Sequence, residues 1–410
     1  MEHKGRNGYI KPWQVGVLMI MSAVLAAAVV ILVLLSGTTK YRIADTESEY
    51  DATLISRLAS EIDNYYYFDE DLPGGSALIE SAAHSLVDAV GDPYAAYYTV
   101  EEYSSFRNEL NGNYKGIGVL VSATEGEGLL VNRSYDGNPA YEAGVRDGDH
   151  IVSVDGVSLI GLDVNAASDM LLGEDGSVAE ITVVRDGITM NFSVTRGDVY
   201  VRRVYSNLLD DNVGYILIES FTGNAADEFD TELDALLESG ITSLVIDVRN
   251  NPGGSLDVVV DICDRILPAC TITTIEGKLV DPPDVYSSTD DEFLNIPYVV
   301  LTNGYSASAS EIFASSIQDN EQGTILGTTT YGKGIVQTSW DIGGGMGYLK
   351  LTTDAYRTPS GSLIHGIGVT PDIVVEQAEE LSGYDPYYLM RDFMEQDVQL
   401  HAAMEFLLGE

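Results

Sequence analysis

The chain has 410 residues but only two cysteines, five histidines and 21 lysines and arginines, against 64 aspartates and glutamates. Two cysteines cannot form a disulfide framework, and the absence of a CxxC pair argues against a structural zinc site. A formal net charge of −43 leaves no basic face of the kind that nucleic-acid binding requires. We therefore expect neither a nucleic-acid partner nor a bound metal.

The amino end is basic, because Lys4, Arg6 and Lys11 precede an uncharged run at residues 15–35 and Glu2 is the one acidic residue before it. An apolar helix of this length spans roughly 30 Å, the thickness of a bilayer core. The sequence therefore predicts a basic cytoplasmic end at residues 1–14, a transmembrane anchor at residues 15–36 and an acidic body outside the cytoplasm. The alternative is a cleaved signal peptide, whose apolar region is usually shorter.

The body divides into segments with different patterns. Residues 44–112 have apolar residues at helical spacing, and residues 113–197 contain short strands separated by Asp-Gly turns. Residues 198–375 alternate strands with amphipathic helices, which is typical of an α/β layered domain. Residues 376–410 predict a helical carboxyl-terminal region.

Three glycine- and serine-rich turns follow strands of the α/β part, at residues 247–257, 301–314 and 327–337. In open α/β sheets, ligand sites form at the carboxyl ends of strands. The second turn holds Ser306, Ser308 and Ser310 before a helix, whose first free N–H groups suit a developing oxyanion. Spacing alone does not choose between these serines, and each could instead cap the helix.

A nucleophilic serine needs a base. His365 is the only histidine placed to serve, and Lys333, between Gly332 and Gly334, is the other candidate. A lysine base must be neutral, and burial favours this by lowering the pKa of the amine. The competing interpretation of Lys333 is an ordinary exposed turn lysine.

The β-rich part contains the sequence Gly116-Ile117-Gly118-Val119 at the start of a strand. Such a loop can present backbone N–H groups to the terminal carboxylate of a peptide, while the edge of the following strand pairs with the peptide chain. The downstream segment NPAYEAGVRDGDHIVSVDG at residues 138–156 supports this interpretation.

Taken together, these segments resemble the C-terminal processing peptidases, or tail-specific proteases, which are serine peptidases with a PDZ domain. The resemblance rests on seven motifs in family order: GDPYAAYYTVEEY (91–103), GIGV (116–119), the 138–156 segment, DVRNNPGG (247–254), SASASEI (306–312), YGKGIVQ (331–337) and TPSGSLIHGIGVTPD (358–372). It implies a crotonase/ClpP-like ββα superhelix protease core at residues 198–375 with an inserted PDZ domain at residues 113–197, beside the small helical amino-terminal unit and the transmembrane helix.

The resemblance also implies roles for individual residues. Ser308 matches the nucleophile, Lys333 the base and Gln337 the residue that orients the lysine, with no metal and no cofactor. The oxyanion donors match the Gly253-Gly254 turn and Ala309. Arg185 corresponds to an arginine that links the position of the PDZ domain to activity, although a solvated arginine at a strand end is the competing interpretation.

The resulting prediction is a membrane-anchored serine endopeptidase that cleaves exported or cell-envelope proteins after its PDZ domain recognises their apolar carboxyl termini. Two alternatives are a catalytically silent PDZ scaffold and a Ser-His hydrolase that uses His365. The resemblance further implies a homodimer formed through residues 45–75 and 377–410. Cys263 and Cys270 are expected to pack as small side chains beside one helix, with a local disulfide as the alternative.

Overall fold

The computed structural model describes residues 53–68, 72–110, 114–124, 126–278, 280–289 and 293–409. The chain forms two compact units, Met1–Gly75 and Ser76–Glu410. In the first unit, the apolar spacing predicted a helix, and α1 (Leu54–Tyr65) is present. Its apolar face is open, since the side chains of Leu54, Leu58 and Ile62 are 52%, 51% and 40% exposed.

The structure contradicts the prediction of a single-pass membrane protein. Across the residues that the structure describes, no helix has the length and apolar character needed to cross a membrane. The run at residues 15–35, on which the prediction depended, lies outside the described residues.

The second unit begins with a small helical region, which lies within residues 44–112, where the apolar spacing predicted helices. It comprises α2 (Gly75–Asp88), β1 (Ala96–Tyr98) and α3 (Val100–Leu110). Gly91 follows the end of α2 and has a positive φ of 75°, a conformation that glycine adopts without strain. The loop that follows carries Tyr94 towards the cleft described below.

The β-rich module has ten elements: β2 (Tyr114–Gly116), β3 (Val119–Thr124), β4 (Gly128–Ser134), α4 (Pro139–Ala143), β5 (His150–Val154), β6 (Val157–Ser158), α5 (Val164–Asp169), β7 (Val178–Arg185), β8 (Ile188–Thr195) and β9 (Gly197–Val199). Its main sheet has the order β3-β4-β5-β7-β8, and β2 pairs with β9. Leu129, Val131, Ile151, Val183 and Val194 alternate inward and fill its core. The strand β3 lies at the sheet edge, where a peptide can pair with it.

The α/β part alternates strands and helices: β10 (Val204–Leu208), β11 (Val213–Ile218), α6 (Ala225–Glu238), β12 (Ser243–Asp247), α7 (Leu256–Ile266), β13 (Thr271–Gly277), β14 (Asp284–Ser287), β15 (Tyr298–Thr302), α8 (Ala309–Asp319), β16 (Thr324–Gly327), β17 (Ile335–Asp341), β18 (Tyr348–Arg357) and β19 (Ile373–Val374). The central sheet has the order β10-β11-β12-β15-β16-β19 and is parallel from β11 onwards. Every residue of β12 and β15 is buried, which explains their near-continuous apolar sequences. The carboxyl ends of β12, β15 and β16 consequently lie side by side.

A second sheet, β1-β18-β13-β14, is antiparallel, and β17 pairs with β18. Helices α6, α7 and α8 pack on one face of the central sheet, where Phe229, Val259 and Phe313 are fully buried. The carboxyl-terminal region, α9 (Pro386–Asp392) and α10 (Val398–Leu408), supplies Leu400 and Ala403 to the opposite face. The central sheet is thus covered on both faces, as the α/β prediction requires.

Both cysteines are free thiols, and Cys263 is buried in the core beside α8. Its Sγ lies 3.4 Å from Ser316 Oγ, and burial raises the pKa of the thiol to about 12. Cys270 packs against the same core. The packing prediction for the two cysteines is therefore confirmed, and the disulfide alternative is absent from the structure.

Candidate active site

The three turns expected from the sequence meet at the carboxyl edge of the central sheet. The glycine turn (residues 250–254) follows β12, the serine turn (residues 303–308) follows β15 and the lysine turn (residues 328–334) follows β16. Ala307 N–H donates to Asn251 O at 3.0 Å, and Tyr331 N–H donates to Ser306 O at 3.0 Å. These backbone bonds fix the serine turn between the other two.

Hydrogen bonding separates the three candidate serines. Ser306 Oγ donates to Val248 O at 2.8 Å, and Ser310 Oγ donates to Asn251 O at 2.9 Å. Both side chains are completely buried. Ser308 is half-buried and caps α8 within a capping box, where its side chain is an acceptor. Ser308 is thus the serine of the three whose hydroxyl proton is not donated to a carbonyl among the described residues.

The backbone of Ser308 has φ 56° and ψ −113°, a strained conformation for a residue other than glycine. This sharp turn between β15 and α8 raises the side chain towards solvent, as in a nucleophile elbow, although the glycine spacing of that motif is not matched. The helix-cap and nucleophile interpretations therefore describe the same residue at once.

Glu311, which the sequence analysis did not single out, holds this conformation. Its Oε2 accepts the N–H of Ser308 at 2.9 Å and the N–H of Lys333 at 2.7 Å. Its Oε1 accepts from Thr330 Oγ1 at 2.6 Å and from Gly332 N–H at 2.7 Å. The Ser308-x-x-Glu311 capping-box pattern could have revealed the first contact. The other three connect the serine turn to the lysine turn.

Tyr356, on β18, also connects the serine turn to the lysine turn. Its hydroxyl lies within hydrogen-bonding distance of two carbonyls, Ser308 O at 3.1 Å and Lys333 O. Burial and the nearby Glu311 carboxylate raise the pKa of Tyr356 well above its ordinary value, so the phenol remains protonated and able to donate. The N–H groups of Ser308 and Lys333 thus donate to Glu311, and their carbonyl oxygens lie within hydrogen-bonding distance of the Tyr356 hydroxyl.

The Lys333 side chain is half-buried in the lysine turn. Burial lowers the pKa of Lys333, and the charge of Lys350 lowers it further, while Glu311 acts in the opposite direction. The Nζ atom lies 4.5 Å from the centroid of the Tyr94 ring. Within the described part of the chain, Lys333 Nζ forms no hydrogen bond with Ser308.

Gln337 lies on β17, next to a bulge in its pairing with β18. Its Nε2 donates to Thr352 Oγ1 at 3.3 Å. No hydrogen bond joins Gln337 to Lys333 in the residues that are described. The structure thus places Ser308, Lys333 and Gln337 on neighbouring segments, and no side-chain hydrogen bond joins them in the described ranges.

The two glycines of the glycine turn differ in their hydrogen bonding. Gly253 N–H donates to Asn251 Oδ1 at 2.8 Å. Within the described ranges, Gly254 N–H and Ala309 N–H have no acceptor. A Cβ placed on Gly253 would lie 2.8 Å from Ser308 Cβ and 2.9 Å from Ala309 N, so the turns are in close contact. Of the three expected oxyanion donors, Gly254 and Ala309 therefore keep an N–H group without an acceptor among the described residues, whereas Gly253 does not.

An open cleft of about 590 Å³ leads to Lys333. Its walls come from five parts of the second unit: Tyr94, the glycine turn, the serine turn, the lysine turn, and Ser382-Gly383 before α9. His365 is exposed and makes no hydrogen bond with a serine of the serine turn in the described structure. No cluster of metal-binding side chains occurs among the described residues.

The loop at residues 116–119 lies where the sequence analysis placed it, before the edge strand β3. Ile117 is 2% exposed and anchors the loop in the module core. Gly118 has φ 81°, and a Cβ there would lie 2.4 Å from Asn138 Cβ, so the loop requires glycine. Partly buried Val121 of β3 and Val164 of α5 give the neighbouring surface apolar character.

Arg185 is not at the cleft. Its guanidinium donates to the buried Asp149 carboxylate, from Nε at 2.6 Å and from Nη2 at 2.8 Å, and also to Gly144 O. This pair lies inside the β-rich module. The proposed role of Arg185 in activation stays a prediction.

Comparison with known proteins agrees with these observations. The model of Peptidase family S41 matches residues 212–375, and that of the PDZ domain matches residues 130–185. The carboxy-terminal-processing protease of Bartonella bacilliformis is 34% identical over 77% of this chain and 74% of its own length. Carboxy-terminal processing protease CtpA of Bacillus subtilis is 30% identical over 80% and 70% respectively.

A solved structure from Bacteroides fragilis, assigned to the S41 proteases, has the same fold. It is 16% identical, covers 86% of this chain and 97% of its own, and superposes with a TM-score of 0.53. The predicted protease core with a PDZ domain is thereby confirmed, as is the serine-type peptidase class. This chain belongs to peptidase family S41 and is a serine-type peptidase of the carboxy-terminal processing group with a PDZ domain.

Proposed function

We propose that this peptidase is an endopeptidase that recognises the apolar carboxyl-terminal tail of a protein through its PDZ domain and cleaves the chain with Ser308, Lys333 and Gln337. One observation carries the proposal: a single buried carboxylate, Glu311, binds the backbones of Ser308 and Lys333 beside an open cleft. Such a shared support suits two side chains that must act on one substrate carbonyl.

In the proposed reaction, neutral Lys333 accepts the hydroxyl proton of Ser308, and Oγ bonds to the carbonyl carbon of the scissile peptide. The N–H groups of Gly254 and Ala309 stabilise the resulting oxyanion. The C–N bond then breaks, and the Lys333 ammonium returns the proton to the leaving amine. Water, deprotonated by Lys333, hydrolyses the acyl-enzyme and restores the Ser308 hydroxyl.

Gln337 orients the lysine amine in this scheme. Its amide, now bonded to Thr352 Oγ1, must turn from β18 towards Lys333. Lys333 must likewise leave the face of the Tyr94 ring to reach Ser308. Catalytic hydrogen bonds often form only when the substrate is bound, which makes such rearrangements an ordinary part of catalysis. The cycle uses only groups of this chain and requires no metal or cofactor.

Tail recognition is proposed to occur at the loop of residues 116–119 and the edge of β3. A substrate strand that pairs with β3 satisfies the free backbone groups of this edge, and the loop N–H groups bind the terminal carboxylate. Apolar Val121 and Val164 favour an apolar tail over a charged one. The predicted homodimer remains a separate proposal.

The experiment uses the full chain and an unfolded protein that carries an apolar carboxyl-terminal tail. We expect cleavage by the wild type, at least a 1,000-fold loss in Ser308→Ala and Lys333→Ala, and about a 10- to 100-fold loss in Gln337→Ala. The exposed His365 provides the matched control, since His365→Ala should retain activity. Cleavage that survives Ser308→Ala, or is lost in His365→Ala, would contradict the proposal.

A second substrate tests tail recognition separately. Replacing the last three residues of the tail with aspartates should raise KM and leave kcat nearly unchanged, because the PDZ domain contributes binding rather than chemistry. If KM were the same for both tails, the PDZ domain would not recognise the tail. Complete inactivity of the folded wild type on both substrates would favour the silent scaffold.

A further inference from the structure

A buried arginine lies directly before the glycine turn. Arg249 is 2% exposed and follows β12, two residues after Asp247. Its Nε donates to Asp247 at 2.9 Å, and its backbone N–H donates to the same carboxylate. Asp247 also accepts from the hydroxyl of Tyr215 on β11 at 2.6 Å. One side of the guanidinium is thus fixed by the central sheet.

The other side of the guanidinium is held by the carboxyl-terminal region. Nη1 donates to Asp397 Oδ1 at 3.0 Å and to Gln399 Oε1 at 2.9 Å, and Nη2 donates to Asp397 Oδ2 at 2.7 Å. Nη2 also donates to Asp247 Oδ2 at 2.5 Å, so all five N–H donors of the guanidinium have acceptors. Two of the three residues that bind Arg249 lie beyond residue 375, where the match to the peptidase family ends.

Asp397 is itself fixed in place. Its Oδ1 accepts the N–H groups of Gln399 and Leu400 at 3.1 Å each, so the carboxylate caps the amino end of α10. Gln377 Nε2 donates to the same oxygen at 2.7 Å. Burial opposes the charge of Asp397, but Arg249 outweighs it and holds the pKa of this carboxyl below its usual value. The pair is therefore ionised at neutral pH.

Arg249 lies between β12 and the glycine turn. The next residue, Asn250, has a positive φ of 56° and exchanges hydrogen bonds with Asn303 of the serine turn. Asn251 follows and receives the bonds from Ala307 N–H and Ser310 Oγ, while its Oδ1 accepts Gly253 N–H. Hydrogen bonds therefore join the backbone between Arg249 and Gly254 to the serine turn.

We propose that residues 376–410 are part of the catalytic unit, because Asp397 and Arg249 are positioning residues that set the glycine turn and aim Gly254 N–H at the oxyanion. The proposal rests on the proposed function, since it concerns the same oxyanion site. Neither residue contacts the substrate. Their effect is on the stabilisation of the transition state and not on the binding of the substrate tail.

The test is the Asp397→Asn variant of the full chain, which keeps the side-chain shape and removes the charge. The matched control is Asp392→Asn, in the same region, whose partner Arg391 is exposed. Both variants are compared with the wild type on the apolar-tail substrate, at a temperature where circular dichroism shows each to be fully folded. We expect Asp397→Asn to lower kcat about 10- to 100-fold, with KM within about twofold, and Asp392→Asn to change neither.

The affinity for a peptide aldehyde is a measurement that a simple loss of protein stability does not change. Ser308 adds to the aldehyde to form a tetrahedral oxyanion, so its affinity should fall with kcat in Asp397→Asn, whereas binding of a free tail peptide should not change. If Asp397→Asn does not fold, Gln399→Ala removes one acceptor of Arg249 and should lower kcat and aldehyde affinity several-fold together.

The outcomes are distinguishable. A folded Asp397→Asn or Gln399→Ala variant with wild-type kcat and wild-type aldehyde affinity would overturn the positioning role. A loss confined to thermal stability, with kcat of the folded protein unchanged, would overturn it as well. If wild-type Ser308 never forms the aldehyde adduct and no substrate is cleaved, the proposed function itself fails.

Discussion

The backbone N–H groups of Ser308 and Lys333 donate to the same oxygen of one buried carboxylate, Oε2 of Glu311, at 2.9 and 2.7 Å. Glu311 is completely buried, and its four hydrogen bonds compensate for the loss of hydration. The proposed nucleophile and the proposed base are thereby supported by a common side chain, so we expect a change at Glu311 to affect both.

We predict that Glu311→Gln lowers kcat at least 100-fold and the free energy of unfolding by about 2–4 kcal/mol. An amide has one acceptor oxygen, so two of the four N–H and O–H donors lose their partner and remain buried. Urea denaturation and steady-state kinetics measure the two effects. Glu321→Gln, at an exposed position just after α8, should change neither quantity. A stable Glu311→Gln enzyme with full activity would show that the shared support is unnecessary.

A second prediction concerns pH. Because burial and Lys350 lower the pKa of Lys333, the neutral base becomes available below the ordinary lysine value of 10.5. We expect kcat/KM to rise with pH through this lowered pKa and then level off. Lys350→Met removes a repulsive positive charge, raises the pKa of Lys333 and should move the rising limb to higher pH.

The matched control for the pH profile is Lys278→Met, because Lys278 is exposed and is not among the groups that shift the pKa of Lys333. Its profile should coincide with that of the wild type. The profiles are measured from kcat/KM over a series of buffers at constant ionic strength. If Lys350→Met moved the limb to lower pH, the assignment of Lys333 as the base would be contradicted.

The sequence was sufficient to predict the turns, because each one combines glycine or serine with a preceding apolar strand. It could not choose between Ser306, Ser308 and Ser310 from spacing, since the choice depends on Val248 O and Asn251 O, which lie in the segment after β12. The family resemblance selected Ser308, and the hydrogen bonds now give a physical reason for that selection.

Contacts between distant segments account for what the sequence analysis missed. Tyr94 comes from the small helical region and yet lies against Lys333. Asp397 was part of a segment predicted only as helical, and its contact with Arg249 depends on how α10 packs on the central sheet. Neither contact leaves a local pattern, because burial is set by the assembled fold and not by neighbouring residues in the chain.

A third prediction tests the close contact between the glycine and serine turns. Gly253→Ala places a methyl group 2.8 Å from Ser308 Cβ and 2.9 Å from Ala309 N, which must displace one of the proposed oxyanion donors. We expect kcat to fall about 100-fold or more, as for the loss of an oxyanion donor. Gly343→Ala is the matched control, since Gly343 also has a positive φ, of 82°, but faces open space. Equal losses of kcat in the two variants would assign the effect to backbone strain.

The last prediction separates tail recognition from chemistry. In Gly118→Ala the new methyl group would lie 2.4 Å from Asn138 Cβ, so the loop at residues 116–119 must move away from the carboxylate position. We expect KM for the apolar-tail substrate to rise about tenfold or more, while kcat and the cleavage of a short peptide without a tail remain within twofold. Gly187→Ala, in the β7–β8 turn with φ 78° and open space around it, is the control. An equal loss on both substrates in Gly118→Ala would mean that the loop supports the fold of the module, because a recognition loop affects only the substrate that it binds.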